Sequence, residues 1–150
     1  MLMLPVFDLV KEAASHLGKT RTAVAKDMNL KDPGPIKWCG WFVRMCGSRY
    51  GISFGSSNTS SQLTAPNGVY EFKCGTPRIG DVLFIQPKNE NGISHVGLCE
   101  KVENGIIYSI EGNMTGSVDN STVRRASYNR DTGDGGSWGK ILKFGATLEF

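Results

Sequence analysis

The sequence predicts an α+β domain, with N-terminal helices packed on an antiparallel β-sheet of about five or six strands. Three observations lead there. Helical spacing of apolar residues is confined to the first fifty positions, strand-like runs fill the second half, and 19 glycines in 150 residues imply many turns. Leu, Ile, Val and Phe make up about a quarter of the chain, enough to exclude disorder and to build one core, so residues 1–150 read as a single domain.

The helical part covers about 5–50. Pro5 suits a first helical turn and Gly18 a stop, with Leu9, Val10, Ala13, Ala14 and Leu17 forming an apolar stripe between them. His16 falls at the end of this stripe, where a surface histidine meets the negative end of the helix dipole. A weaker helix is expected over residues 20–28. NLKDPGPIK cannot continue it, because two prolines flank a glycine. From Cys39 to Tyr50 the spacing turns helical again, with Trp38, Phe42, Val43 and Cys46 able to share a face and Gly51 as the stop.

Residues 53–68, SFGSSNTSSQLTAPNG, form a long polar connection of the kind that borders a groove. The sheet is expected over about 69–150. GDVLFIQP is apolar on both faces and suits a central strand. ISHVGLCEKV and IIYSIEGN flank a hairpin turn, and TVRRASY and KILKFGATLEF supply two more strands, separated by the loop NRDTGDGGSWG.

Alternation within the hairpin predicts its register. A three-residue loop, Glu103-Asn104-Gly105, pairs Val102 with Ile106 and matches apolar to apolar positions. His95 then lies opposite Asn113, and Gly97 opposite Glu111, all on one face. An imidazole with a carboxylate and an amide as neighbours has the partners that orient a ring and select its tautomer.

A net charge of +3 is too small to predict nucleic-acid binding, though it favours anionic surfaces such as cell-wall polymers. No apolar run is long enough to span a membrane, and the start lacks the basic n-region of a signal peptide. The expectation is a chain made in the cytoplasm, or an excised domain, without membrane insertion and monomeric. The cysteines at 39, 46, 74 and 99 contain no CxxC pair, so neither zinc nor a disulfide is expected. Asp27, Asn29 and Asp32 have loosely calcium-like spacing, but Lys31 interrupts them and a solvated turn is the expectation, so no metal or other cofactor is predicted.

Cys39 at a helix start is placed for reactivity. The dipole and an adjacent imidazolium favour its thiolate, and free backbone N–H groups there face an oxyanion. The competing reading is a small buried hydrophobe, which is expected for Cys46, Cys74 and Cys99. Trp38 and Trp41 read first as core or rim packing and second as substrate-binding residues.

WCGWFV, GDVLFI, SHVGLCEKV, IYSIEGN and VRRASY, in that order over about 37–128, resemble the CHAP domains (cysteine, histidine-dependent amidohydrolase/peptidase), which belong with the NlpC/P60 peptidases in the papain-like group. The resemblance implies a papain-like fold and a peptidoglycan hydrolase of endolysin or autolysin type. It places the nucleophile at Cys39, the base at His95, and the orienting acid and amide at Glu111 and Asn113. Acidic calcium ligands found in some phage members are not clearly present before Cys39, and the glutamine that papain-type enzymes carry upstream of the nucleophile is not evident. The bond cut would be the muramoyl–alanine amide or a peptide bond in stem or cross-bridge. Two other readings stay open: a non-catalytic glycopeptide-binding module, and a cysteine protease or amidase toxin with another substrate.

Overall fold

The computed structural model describes residues 3–114 and 117–149; Met1, Leu2, Thr115, Gly116 and Phe150, the last of which ends the expected sheet segment, lie outside them. Helix α1 (Met3–Ser15) buries Val6, Leu9, Val10 and Ala13, the stripe read from spacing, and Gly18 breaks the chain direction at φ +83°. Helix α2 (Arg21–Asp27) is capped by Thr20, whose hydroxyl accepts from the Ala23 N–H at 3.4 Å. Helix α3 (Cys39–Ser48) buries Cys39, Trp41, Phe42, Val43 and Cys46.

Six strands form one antiparallel sheet: β1 (Val69–Glu71), β2 (Val82–Pro87), β3 (His95–Glu103), β4 (Ile106–Met114), β5 (Thr122–Asn129) and β6 (Gly139–Gly145), in the order β1-β6-β2-β3-β4-β5. The three-residue β1 lies inside the expected sheet segment but has no recognisable strand pattern. β2 is central, as its two apolar faces require: Val82 and Phe84 join the cluster under the helices, while Leu83 and Ile85 join a second cluster with Cys99, Ile107, Tyr128, Ile141 and Phe144. α3 sits against β3 and β4, and α1 against α3, so the helical layer presses on the two strands that carry the candidate site.

Three expectations need correction. The hairpin turn has two residues, not three: Glu103 pairs with Ile106, and Asn104 (φ 53°) and Gly105 (φ 77°) are both left-handed, as a type I′ turn demands. A bulge at Glu100 then shifts the ladder by one, so that Leu98 pairs with Ile110 and Cys99 with Ser109. Two offsets cancel, and beyond the bulge the register is the one alternation predicts. His16 is buried, with Nε2 on the Glu12 carboxylate and its ring edge-on to Phe42, because it follows α1 into the contact with α3 instead of facing solvent. Cys74 is exposed, unlike Cys46 and Cys99.

Candidate active site

Proline-glycine-proline before α3 holds the chain out of helix until Trp38, and Asp32 ties that turn by accepting from the Gly34 N–H at 2.9 Å. Cys39 therefore occupies the first helical position. Trp38 at the N-cap makes no side-chain cap bond, so the first turn of α3 keeps N–H groups that its cap does not fill. Gly40 lets residues 53–68 fold over this end: a Cβ there would lie 2.3 Å from the Asn58 carbonyl oxygen. The overlying segment contains a single 3-10 turn, Ser60–Gln62, and the Ser60 hydroxyl shares a 3.3 Å hydrogen bond with Cys39 Sγ.

His95 begins β3 on the opposite side of the sulfur. Its Nε2 is 2.8 Å from Glu111 Oε1, and the imidazole sits close enough to the Cys39 thiol for each to act on the other's ionisation. Glu111 is fully buried and takes three donors: His95 on Oε1, and the hydroxyls of Ser109 and Tyr128 on Oε2, the latter at 2.6 Å. Gly97 makes room for it, since a Cβ at 97 would stand 2.5 Å from Glu111 Cγ.

Electrostatics separates the buried thiols. Burial pushes Cys46 and Cys99 far above the ordinary thiol range. Burial also opposes ionisation of Cys39, but hydrogen bonds from His95, Ser60 and the Val96 backbone, with the imidazolium charge, outweigh it and bring the thiol down to about 7. For His95, burial disfavours the cation, yet its bonds to Cys39 and Glu111 raise it to about 10. The pair is set up as thiolate and imidazolium near neutral pH.

The remaining expected residues fall elsewhere. β4 breaks step between Glu111 and Met114, with Asn113 left-handed at φ 61°, and this bulge turns its amide oxygen onto the Ser121 hydroxyl at 2.9 Å. The amide expected on the imidazole is therefore engaged behind Trp38, while Glu111 holds the ring. Trp38 is fully buried, its indole N–H donating to Ser121 Oγ and the Val118 carbonyl, and Trp41 is only 5 % exposed. Both are core residues here, which agrees with the first of the two readings, packing. Sequence reasoning missed Ser60, Tyr128 and Trp138. Trp138 donates through Nε1 to Tyr128 at 2.9 Å and sets its ring at right angles to His95, centroids 5.3 Å apart.

A cleft of about 430 Å³ is lined by Ile36, Lys37, Asn58, Ser60, Ile93 and Ser94 among others, Ser60 being the hydroxyl bonded to the sulfur, so the polar connection 53–68 does border a groove. Asp27 is ion-paired to Lys19, and Asp32 is held by Arg21, Thr22 and Gly34. Among the described residues no group of three or more His, Cys, Asp or Glu gathers as a metal site.

Three helices on a six-stranded antiparallel sheet, with a buried thiol at a helix start and an imidazole–carboxylate pair on the adjoining strands, match a papain-like fold. A family model described as CHAP domain matches residues 31–113, more than half of the chain, and the chain belongs to that family. Among solved structures, the one titled "The crystal structure of Ly7917" aligns with TM-score 0.51 and 14 % identity, over 93 % of this chain and 60 % of that one; the likeness is one of fold. This chain thus spans about three-fifths of that protein's length. No curated protein matches it.

Proposed function

We propose that the chain hydrolyses an amide bond in bacterial cell-wall peptide by a Cys39–His95 mechanism, with Glu111 holding the imidazole. The observation that carries this reading is the 2.8 Å bond from His95 to the buried Glu111 carboxylate, on an imidazole that is coupled to the Cys39 thiol and favours its ionisation. Family membership supports an amidase or peptidase type of hydrolysis, and a cleft bordered by Ser60, the hydroxyl bonded to Sγ, offers room for substrate.

In the first step Cys39 thiolate attacks the carbonyl carbon, and the oxyanion gathers at the uncapped N–H groups of the first turn of α3. His95 gives its proton to the amide nitrogen, the C–N bond breaks, and the amine leaves behind a thioester. Water then loses a proton to the neutral imidazole as it attacks, the C–S bond breaks, and thiolate and imidazolium are restored. The acid product is the peptide or muramoyl carboxylate.

Purified peptidoglycan is the substrate to test. Incubation should release new amino termini and matching carboxyl ends, identified by mass spectrometry, and Cys39→Ala should release none while keeping the parent's circular dichroism. Digestion by Cys39→Ala equal to the parent would remove the mechanism. Binding to peptidoglycan without new ends would favour the non-catalytic module instead, and cleavage of proteins but not of peptidoglycan would favour a protease.

A further inference from the structure

We infer that Tyr128 and Trp138 act as a positioning relay, which aims the Glu111 carboxylate at His95 and so places the candidate ion pair under the control of the loop at 130–138. The inference rests on the Cys39–His95 reading and adds two residues to it.

The direction of the relay follows from what each group is able to donate. An indole N–H is a donor only. Trp138 Nε1 donates to the Tyr128 oxygen at 2.9 Å, which leaves the phenol proton for Glu111 Oε2, 2.6 Å away. Tyr128 is 2 % exposed, and burial together with the neighbouring carboxylate pushes its phenol upward, so it remains a donor throughout the working range. Ser109 donates to the same Oε2. The two carboxylate oxygens are thereby sorted: Oε2 is filled by hydroxyls, and Oε1 is left to His95.

Trp138 also touches the other end of the chain of bonds. Its ring meets the imidazole at 90° with centroids 5.3 Å apart, so one side chain packs on the base and also bonds the phenol that donates to Glu111. Bonds in such a series polarise one another, which makes each member matter beyond its own contact. Removing the Tyr128 hydroxyl leaves a fully buried carboxylate short of a donor. It is then held less firmly toward His95, supports the imidazolium less, and the thiolate of Cys39 is disfavoured in turn.

Alkylation of Cys39 by iodoacetamide, followed against pH in a Cys74→Ser background because Cys74 is exposed, reads this directly. Tyr128→Phe should move the midpoint of the thiolate limb upward by roughly half a unit to one unit, the share of a charged hydrogen bond passed along the chain. Trp138→Phe keeps an aromatic ring and should move it the same way by less, since the phenol is then free to turn. A midpoint unchanged from the parent in folded Tyr128→Phe overturns the relay; if that variant does not fold, an unchanged midpoint in Trp138→Phe does so. A parent midpoint near the free-thiol value of about 8.5 would instead overturn the ion pair, and the relay with it. A parent midpoint near 7 with unmoved variants sinks the relay alone.

Discussion

Glu111 lies across the ladder from Gly97, and its Cγ fills the space that a side chain at 97 would need: the added Cβ would be only 2.5 Å away. The strand could hold alanine by its own geometry, as 97 is not among the left-handed glycines, so the absence of a side chain reflects the neighbour and not the backbone. Glu111 has nowhere to retreat, being fully buried with its oxygens committed to His95, Ser109 and Tyr128. Gly97→Ala should therefore lower kcat/KM on peptidoglycan fragments by about a hundredfold, the usual effect of misplacing a catalytic group by roughly 1 Å. Steady-state kinetics on the folded variant checks it, and activity within twofold of the parent would show that Glu111 need not sit where it does.

The ion pair sets two limbs of a pH profile. Activity should rise through about 7 as Cys39 ionises and fall through about 10 as His95 loses its proton. Stability follows a different course. The lowered thiol gives stability that is complete above its ordinary 9.0 and lost as pH falls through about 7; the raised imidazole gives stability that is complete below 6.5 and lost as pH rises through about 10. Between about 7 and 9 the two slopes are opposite and cancel. The pair's part in thermal stability should thus be flat there and decline from 9 to 10. Melting curves of parent and Cys39→Ala, compared across this range, should diverge in that pattern. A parent-minus-variant difference that keeps climbing to pH 10 would contradict a protonated His95.

Much of this site was legible before any coordinates, and the failures have physical causes. α3 could be placed because prolines at 33 and 35 end one element and Trp38, Phe42, Val43 and Cys46 repeat at helical spacing. Cys39 followed from the helix start, and His95 from the hairpin register. The face shared by Gly97 and Glu111 came out right although the turn did not, because the two-residue turn and the bulge at Glu100 offset each other by one residue each. Alternation reports the sum of such shifts, not their positions. A second bulge, at Asn113, had no compensating partner and carried that residue to Ser121. Ser60, Tyr128 and Trp138 left no local trace, since their meaning lies in contacts with residues 21, 17 and 10 positions away. Nor does the sequence carry any sign that the connection 53–68 closes over the start of α3.

That closure yields the last prediction. Replacing a helical glycine by alanine ordinarily stabilises by about 0.5–1 kcal/mol, so propensity alone expects Gly40→Ala to raise Tm. Contact geometry opposes this. The new methyl would stand 2.3 Å from the Asn58 carbonyl oxygen, 3.1 Å from its carbon and 3.2 Å from Leu63 Cδ1, with backbone and not a flexible tip as the nearest obstacle. Relief requires the segment at 58–63 to lift, and Ser60 then leaves the Cys39 sulfur. Overpacking of this kind costs about 1–3 kcal/mol, more than the propensity gain. Gly40→Ala should accordingly lower Tm and reduce kcat/KM by about tenfold, the equivalent of one lost hydrogen bond to a charged sulfur. Calorimetry and kinetics on the one variant decide between the two effects: a higher Tm with parental activity would mean that the connection does not press on the nucleophile.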